Sequence, residues 1–190
     1  TEKTAAALKE TQAVLETLTD DAIEKLIGRK AKIGDEEREL LQKVEGHYAK
    51  FAVETQDTAD SLMPKARGLF RVGQIREKLG DYSEAAAAYE ESASLWEKLA
   101  QTEKEGGFYQ SKAAKSHRSA GLVLQMIGRL VEAESKLKLG LLKSPQTKEA
   151  SIEHVQAVID FSEFLRSLGR LDEAIDQLKT AASILTKWRE

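Results

Sequence analysis

Apolar residues recur along the chain at helical spacing, and glycine cuts the pattern at a few regular points. The clearest run is Ala66 to Leu99, ARGLFRVGQIREKLGDYSEAAAAYEESASLWEKL, interrupted only at Leu79-Gly80-Asp81-Tyr82. It predicts two helices folded back on each other around Gly80. Weaker copies lie at Ala114–Ser144, around Ile127-Gly128-Arg129, and at Val155–Thr186, around Leu168-Gly169-Arg170. Upstream, Thr4 to Lys32 carries an apolar stripe of Leu8, Val14, Leu15, Leu18, Ile23, Leu26 and Ile27, with capping chemistry at Thr19-Asp20-Asp21 that predicts a kink or a break. Ile33-Gly34-Asp35 then resembles the later turns. Glu36 to Thr55 predicts a further helix with Leu40, Leu41, Val44, Tyr48 and Phe51 on its apolar side.

The connectors are short. Gln56–Ser61 has capping residues and no apolar pattern, and Pro64 falls where the first turn of the following helix tolerates it. Lys104-Glu105-Gly106-Gly107 and Ser144-Pro145-Gln146-Thr147 mark the next two breaks. None is long enough to separate independent domains. The expected organisation is all-α: a degenerate hairpin over residues 1–56, then three hairpins over 57–190, continuous with the first as one array of about four antiparallel helical hairpins.

Small residues occupy matched positions in the three clear hairpins. Gly80, Gly128 and Gly169 can take the left-handed conformation that closes a helix without a Cβ penalty. Five residues after each turn glycine stand Ala85, Ala133 and Ala174; nine after stand Tyr89, Leu137 and Leu178; seven before stand Gly73, Gly121 and Ser162. A glycine inside a helix costs about 1 kcal/mol relative to alanine, so Gly73 and Gly121 predict helices that approach too closely for a side chain.

These positions resemble the tetratricopeptide repeat. The resemblance implies a right-handed α-solenoid whose first helices line a concave surface that contacts extended peptides. Some features depart from it. Arg76 stands four before its turn glycine where the family prefers an apolar residue, as Leu124 and Leu165 are, and only the second repeat keeps a closing proline, Pro145. The turn glycines are 48 and 41 residues apart, longer than a unit of roughly 34. That length, with the Gly-Arg turns, resembles kinesin light chain-like arrays and those attached to bacterial signalling proteins, including serine/threonine kinases and sigma factors. In the first hairpin Glu39 sits where the repeat would have alanine.

Composition narrows the function classes. Among 190 residues, 41% are hydrophobic and 32% charged, which suits an ordered helical chain. The net charge of −3 argues against a nucleic-acid binder as a whole. The absence of cysteine excludes disulfides, thiolate metal sites and cysteine nucleophiles. No run approaches the roughly 20 apolar residues that span a bilayer, and TEKTAAALKE lacks the apolar core of a signal peptide. A chain beginning at Thr1 reads as a piece of a longer protein, so its compartment stays open, with the cytoplasm the leading expectation.

Charge is divided unevenly. Residues 1–60 hold 9 Lys or Arg against 14 Asp or Glu, and 61–190 hold 20 against 18. Basic residues gather on the first helices at Lys65, Arg67, Arg71, Arg76 and Lys78, then at Lys112, Lys115 and Arg118. With the phase taken from the turn glycines, the resemblance assigns Arg67, Phe70, Arg71, Gln74, Lys115, Arg118, Leu122, Gln125, Ile159, Glu163 and Arg166 to the groove. Guanidinium groups bind carboxylate and phosphate bidentately, so the expected partner is a protein or peptide, with an acidic or phosphorylated segment suited to this surface. The Lys and Asn clamp that chaperone-type arrays use for a C-terminal carboxylate is not reproduced.

Catalytic chemistry finds little support. His47, His117 and His154 are too widely spaced for a local metal motif, no H-E-x-x-H occurs, and His154 beside Glu153 reads as a surface helix pair. GRKAKIG lacks the order of a phosphate loop, and no G-x-S-x-G elbow is present. No catalytic residue, metal or cofactor is expected. Trp96 reads as core, and Phe108-Tyr109 as the start of a helix. The expected role is a non-catalytic protein-interaction scaffold. Two rivals are a self-association or regulatory module, dimerising through its end hairpins, and a helical-repeat RNA binder.

Overall fold

The computed structural model of the chain describes Lys25 and residues 34–54, 59–102, 106–144 and 151–189. Seven helices are described: α1 (Asp35–Glu54), α2 (Ala59–Leu79), α3 (Tyr82–Thr102), α4 (Gly106–Met126), α5 (Leu130–Lys143), α6 (Ser151–Ser167) and α7 (Leu171–Arg189). No strand occurs among the described residues, and the structure is an all-α helical repeat of solenoid-like kind. By compactness the chain divides into residues 1–44 and 45–190, and α2 to α7 lie in the second unit. The helix expected over Thr4–Lys32, with its break at Thr19-Asp20-Asp21, lies outside the described residues, Lys25 apart. So do Pro145 and the connector that follows it.

Helix α1 begins where the pattern placed it. The Gly34 N–H donates to Glu37 Oε2 at 3.0 Å and so closes one of the open backbone groups at the helix start. Of its expected apolar side Leu41 is buried, but Leu40 is exposed. Helix α2 starts earlier than expected, so Pro64 falls in its second turn rather than its first and removes one helical hydrogen bond there. The Gly106-Gly107 pair opens α4 instead of linking two helices.

The three hairpin turns share one construction. Gly80, Gly128 and Gly169 have φ of 93°, 76° and 76°. At the first, Gly80 N–H donates to Glu77 O at 3.1 Å and Asp81 N–H to Arg76 O at 2.8 Å. The same pair of bonds recurs at Gly128 with Arg129 and at Gly169 with Arg170. This is the Schellman arrangement, in which a left-handed residue lets two N–H groups satisfy the last helical carbonyls. The next helix then begins immediately, because Asp81, Arg129 and Arg170 each offer a carbonyl to the N–H of Ala85, Ala133 and Ala174.

Close approach decides how the members of a hairpin meet. A Cβ on Gly73 would lie 2.6 Å from Cδ1 and Cε1 of Tyr89, and one on Gly121 would lie 2.7 Å from Cγ of Leu137. Ala85 and Ala133 are fully buried. Each helix from α2 onward packs chiefly on its neighbours in the chain, with α4 also against α6. The apolar core is correspondingly a strip. One cluster joins Ala66, Leu69, Leu95, Trp96, Leu99 and Ala113; a second runs from Ala86 and Tyr89 through Val123 and Leu137 to Phe164 and Ala174. Between α2, α3 and α4, Ser92 Oγ donates to Ala66 O at 2.8 Å and Ser116 Oγ to Lys112 O at 3.0 Å, so these buried hydroxyls are satisfied.

Ion pairs link the second helices laterally. Lys136 of α5 meets Glu90 of α3 at 3.0 Å, and Lys143 of α5 meets Glu97 of α3 at 3.1 Å. Arg170, just before α7, meets Glu134 of α5 at 2.8 Å while also forking onto Glu173. These partly exposed pairs each contribute little to stability. Arg76, the departure from the repeat pattern, is used in the same way: its Nε donates to Glu45 Oε1 of α1 at 2.7 Å.

Candidate functional site

The residues assigned to the groove lie on α2, α4 and α6, the first members of the three hairpins. Arg67, Lys115, Glu163 and Arg166 are exposed, while Phe70, Arg71, Gln74, Arg118, Leu122, Gln125 and Ile159 are half-buried. The fold brings several of them together. The Lys115 ammonium lies 5.2 Å from the centre of the Phe70 ring, reaching from α4 to α2. Phe70 is held from behind by Tyr89, at 5.1 Å between ring centres. Next to Phe70, Arg71 Nη1 donates to Gln74 Oε1, one turn along, at 3.0 Å. Leu122 packs against the main core.

Tyr89 is what fixes that corner. Its ring occupies the space over Gly73, and its hydroxyl donates to Glu77 Oε2 at 2.8 Å. Burial, with the Glu77 carboxylate beside it, pushes the phenol well above its ordinary value, so it stays a neutral donor. Turn, glycine and aromatic ring thus form one unit between residues 70 and 89.

Residues 66–98 match the tetratricopeptide repeat. The fold is tetratricopeptide-like, with Gly73, Gly80 and Ala85 in the roles that the spacing predicts. The curated proteins contain no match to the sequence. Among solved structures, a chain described as "MamA MSR-1 C2" is similar at 18% identity over 77% of this chain and 92% of its own, with a TM-score of 0.30.

Along the same face of this tetratricopeptide-like fold, Arg118 has a different surrounding from the one expected. Its Nε stands 2.6 Å from Asp160 Oδ2 of α6, and the two side chains are only 15% and 11% exposed. Burial pulls the guanidinium below its ordinary value against the opposing pull of Asp160 and Glu153, and it remains a cation throughout the physiological range. Gln156 Nε2 donates to the other oxygen of Asp160 at 2.8 Å. Farther along, Gln125 Nε2 donates to Ser167 Oγ at 3.2 Å. The α4 to α6 half of the face is therefore bonded to itself, and the α2 to α4 half is basic and aromatic.

Asp160 and Ser167 were absent from the expected set. A signal for Asp160 existed, since it stands nine residues before its turn glycine, as Arg71 does before Gly80. Carrying that position through all three repeats names Ser119 and Asp160 as well.

The histidines also differ from expectation. His154 is 3% exposed rather than on the surface, and its Nδ1 lies 2.7 Å from Ser144 Oγ, which ties the start of α6 to the end of α5. His117 is buried with Nε2 3.1 Å from Glu97 Oε1. Burial lowers both imidazoles below their ordinary value; at His117 the Glu97 carboxylate opposes this without overcoming it. Glu97 itself, despite its burial, is held below the usual carboxylate range by its bonds to His117 and Lys143. Among the described residues no group of three or more His, Asp or Glu side chains is placed to hold a metal, and no helix is long and apolar enough to cross a membrane.

Proposed function

We propose that α2, α4 and α6 hold an extended acidic segment of another protein, gripped by Arg67, Phe70, Arg71 and Lys115. The observation that carries this reading is Lys115 seated over Phe70 between two first helices, beside Arg71 and one turn from exposed Arg67. A carboxylate or phosphate arriving there meets ammonium and guanidinium donors, while the apolar parts of the segment lie against the ring. Gln74, Leu122, Gln125, Ile159, Glu163 and Arg166 continue the face. Arg118, in this reading, holds α4 to α6 rather than gripping the ligand. Helices already packed before the segment arrives lower the ordering cost of binding.

The test is fluorescence polarisation with a labelled Glu-rich peptide and the 190-residue chain. Arg71→Glu and Lys115→Glu should each weaken binding by about tenfold, a change of about 1.4 kcal/mol, with circular dichroism unchanged. Equal affinity for the native chain and both reversals overturns the reading. A labelled RNA that binds with steep salt dependence would instead favour the nucleic-acid alternative.

A further inference from the structure

The second helix of the first clear hairpin, α3, presents Tyr82, Ala86, Tyr89, Ala93 and Trp96 at successive spacings of four, three, four and three residues. Ala86, Tyr89, Ala93 and Trp96 are buried. Helix α4 covers this flank, with Tyr89 also lying over Gly73 of α2: Ala86 and Tyr89 share a cluster with Ala120, Val123 and Leu124, and Trp96 stacks on Tyr109 at 6.0 Å. The contacts run antiparallel, from Trp96 with Tyr109 to Ser92 with Ser116.

Helix α7 carries the same positions, counted from its own turn glycine, as Leu171, Ile175, Leu178, Ala182 and Leu185. No described helix follows α7 to cover them as α4 covers α3. Leu171, Ile175, Leu178 and Leu185 are 55%, 48%, 46% and 42% exposed, and Ala182 is exposed with them. A four-three repeat of apolar residues is the seam by which two helices interdigitate. On one side of it Ala174 and Ala181 are buried. On the other, Asp172 and Lys179 are exposed, two turns apart, with Lys179 3.6 Å from Asp176 of its own helix.

We infer that two copies of this chain pair through α7, antiparallel about a two-fold axis, each α7 covering the other as α4 covers α3. The seam is its own complement in that register. Ile175 falls opposite Leu178 of the second copy and Leu171 opposite its Ala182, while Leu185 reaches toward the second copy's turn at Leu168, which is also exposed. Asp172 then faces Lys179 of the second copy, and the two-fold axis repeats that contact at the other end. Opposite charges flanking a seam set partner and orientation. Such an isologous contact closes on itself and stops at two. The inference stands independently of the groove, which lies on the first helices.

Light scattering on the 190-residue chain should give twice its 21.1 kDa, and Ile175→Glu with Leu178→Glu should return it to 21.1 kDa with helicity intact. Asp172→Lys alone and Lys179→Asp alone should each lower the dimer fraction, and the two together should restore it, because the exchanged charges meet again only across an antiparallel pair. The chain lacks cysteine, so Leu171→Cys with Ala182→Cys should yield a covalent dimer on oxidation. A native mass of 21.1 kDa at every concentration overturns the inference. So does a dimer that survives the paired glutamates, or a charge exchange that fails to restore association.

Discussion

The ring of Tyr89 fills the space where Gly73 has no side chain, so closely that an added Cβ would meet two ring carbons at 2.6 Å. That contact joins α2 to α3, supports Phe70 from behind and gives the Tyr89 hydroxyl its bond to Glu77. The equivalent pair in the next hairpin is Gly121 with Leu137, and there the backbone N of Leu137 also lies 3.0 Å from the added atom.

Gly73→Ala sets helix propensity against overpacking. The first favours alanine by about 1 kcal/mol, but forcing a methyl against a buried ring costs roughly 1–3 kcal/mol. The ring is pinned by its hydroxyl, so the variant should be destabilised, and Gly121→Ala likewise. Gly46→Ala, with nothing within 4 Å of the new atom, should be neutral or stabilised. Urea midpoints of the three variants decide the matter; equal midpoints for Gly73→Ala and Gly46→Ala would contradict it.

The turn glycines differ from Gly73 because space is open around Gly80, Gly128 and Gly169. Only the backbone objects to a side chain there. Gly128→Ala should cost about 1–2 kcal/mol through its left-handed φ alone, and Gly128→Asn less, since asparagine tolerates that region. Thermal unfolding that ranks Asn no better than Ala would show the cost to be steric instead.

Removing one member of the Arg118 and Asp160 pair leaves the other charge poorly solvated. Arg118→Ala should lower stability by about 3 kcal/mol, whereas Arg118→Met with Asp160→Leu should lie much closer to the native chain. A double variant as unstable as the single one would show that the pair is worth more than the apolar contact replacing it. Arg118→Glu is accordingly a poor probe of ligand binding, because it attacks the fold.

The buried imidazoles give a pH dependence of definite sign. His117 and His154 have folded values below the unfolded one of about 6.5, so the unfolded chain binds more protons as the solution acidifies. Their contribution is complete above that value and is lost as pH falls through the lowered folded values. Glu97, also lowered, extends the loss to more acidic solution. Urea midpoints should be level above about pH 7 and decline below about 6.5. His117→Gln with His154→Gln should flatten the first part of that decline, and a slope unchanged by the two substitutions would place its origin elsewhere.

By itself the amino-acid sequence determined where the helices turn back and which small residues lie between them. Those are local facts: Gly80, Gly128 and Gly169 are needed for their φ, and Gly73 with Tyr89 keeps a fixed count from the turn. The apolar pattern likewise marked Trp96 as interior, and it is. Only the tertiary structure decided what stands opposite each polar side chain. Periodicity shows which side of a helix is buried, but the partner comes from a distant segment: Asp160 for Arg118, Ser144 for His154, Phe70 beneath Lys115. The bare flank of α7 shows the same division, since its seam is readable in the residues, and its exposure follows from the absence of a described helix packed there as α4 packs on α3.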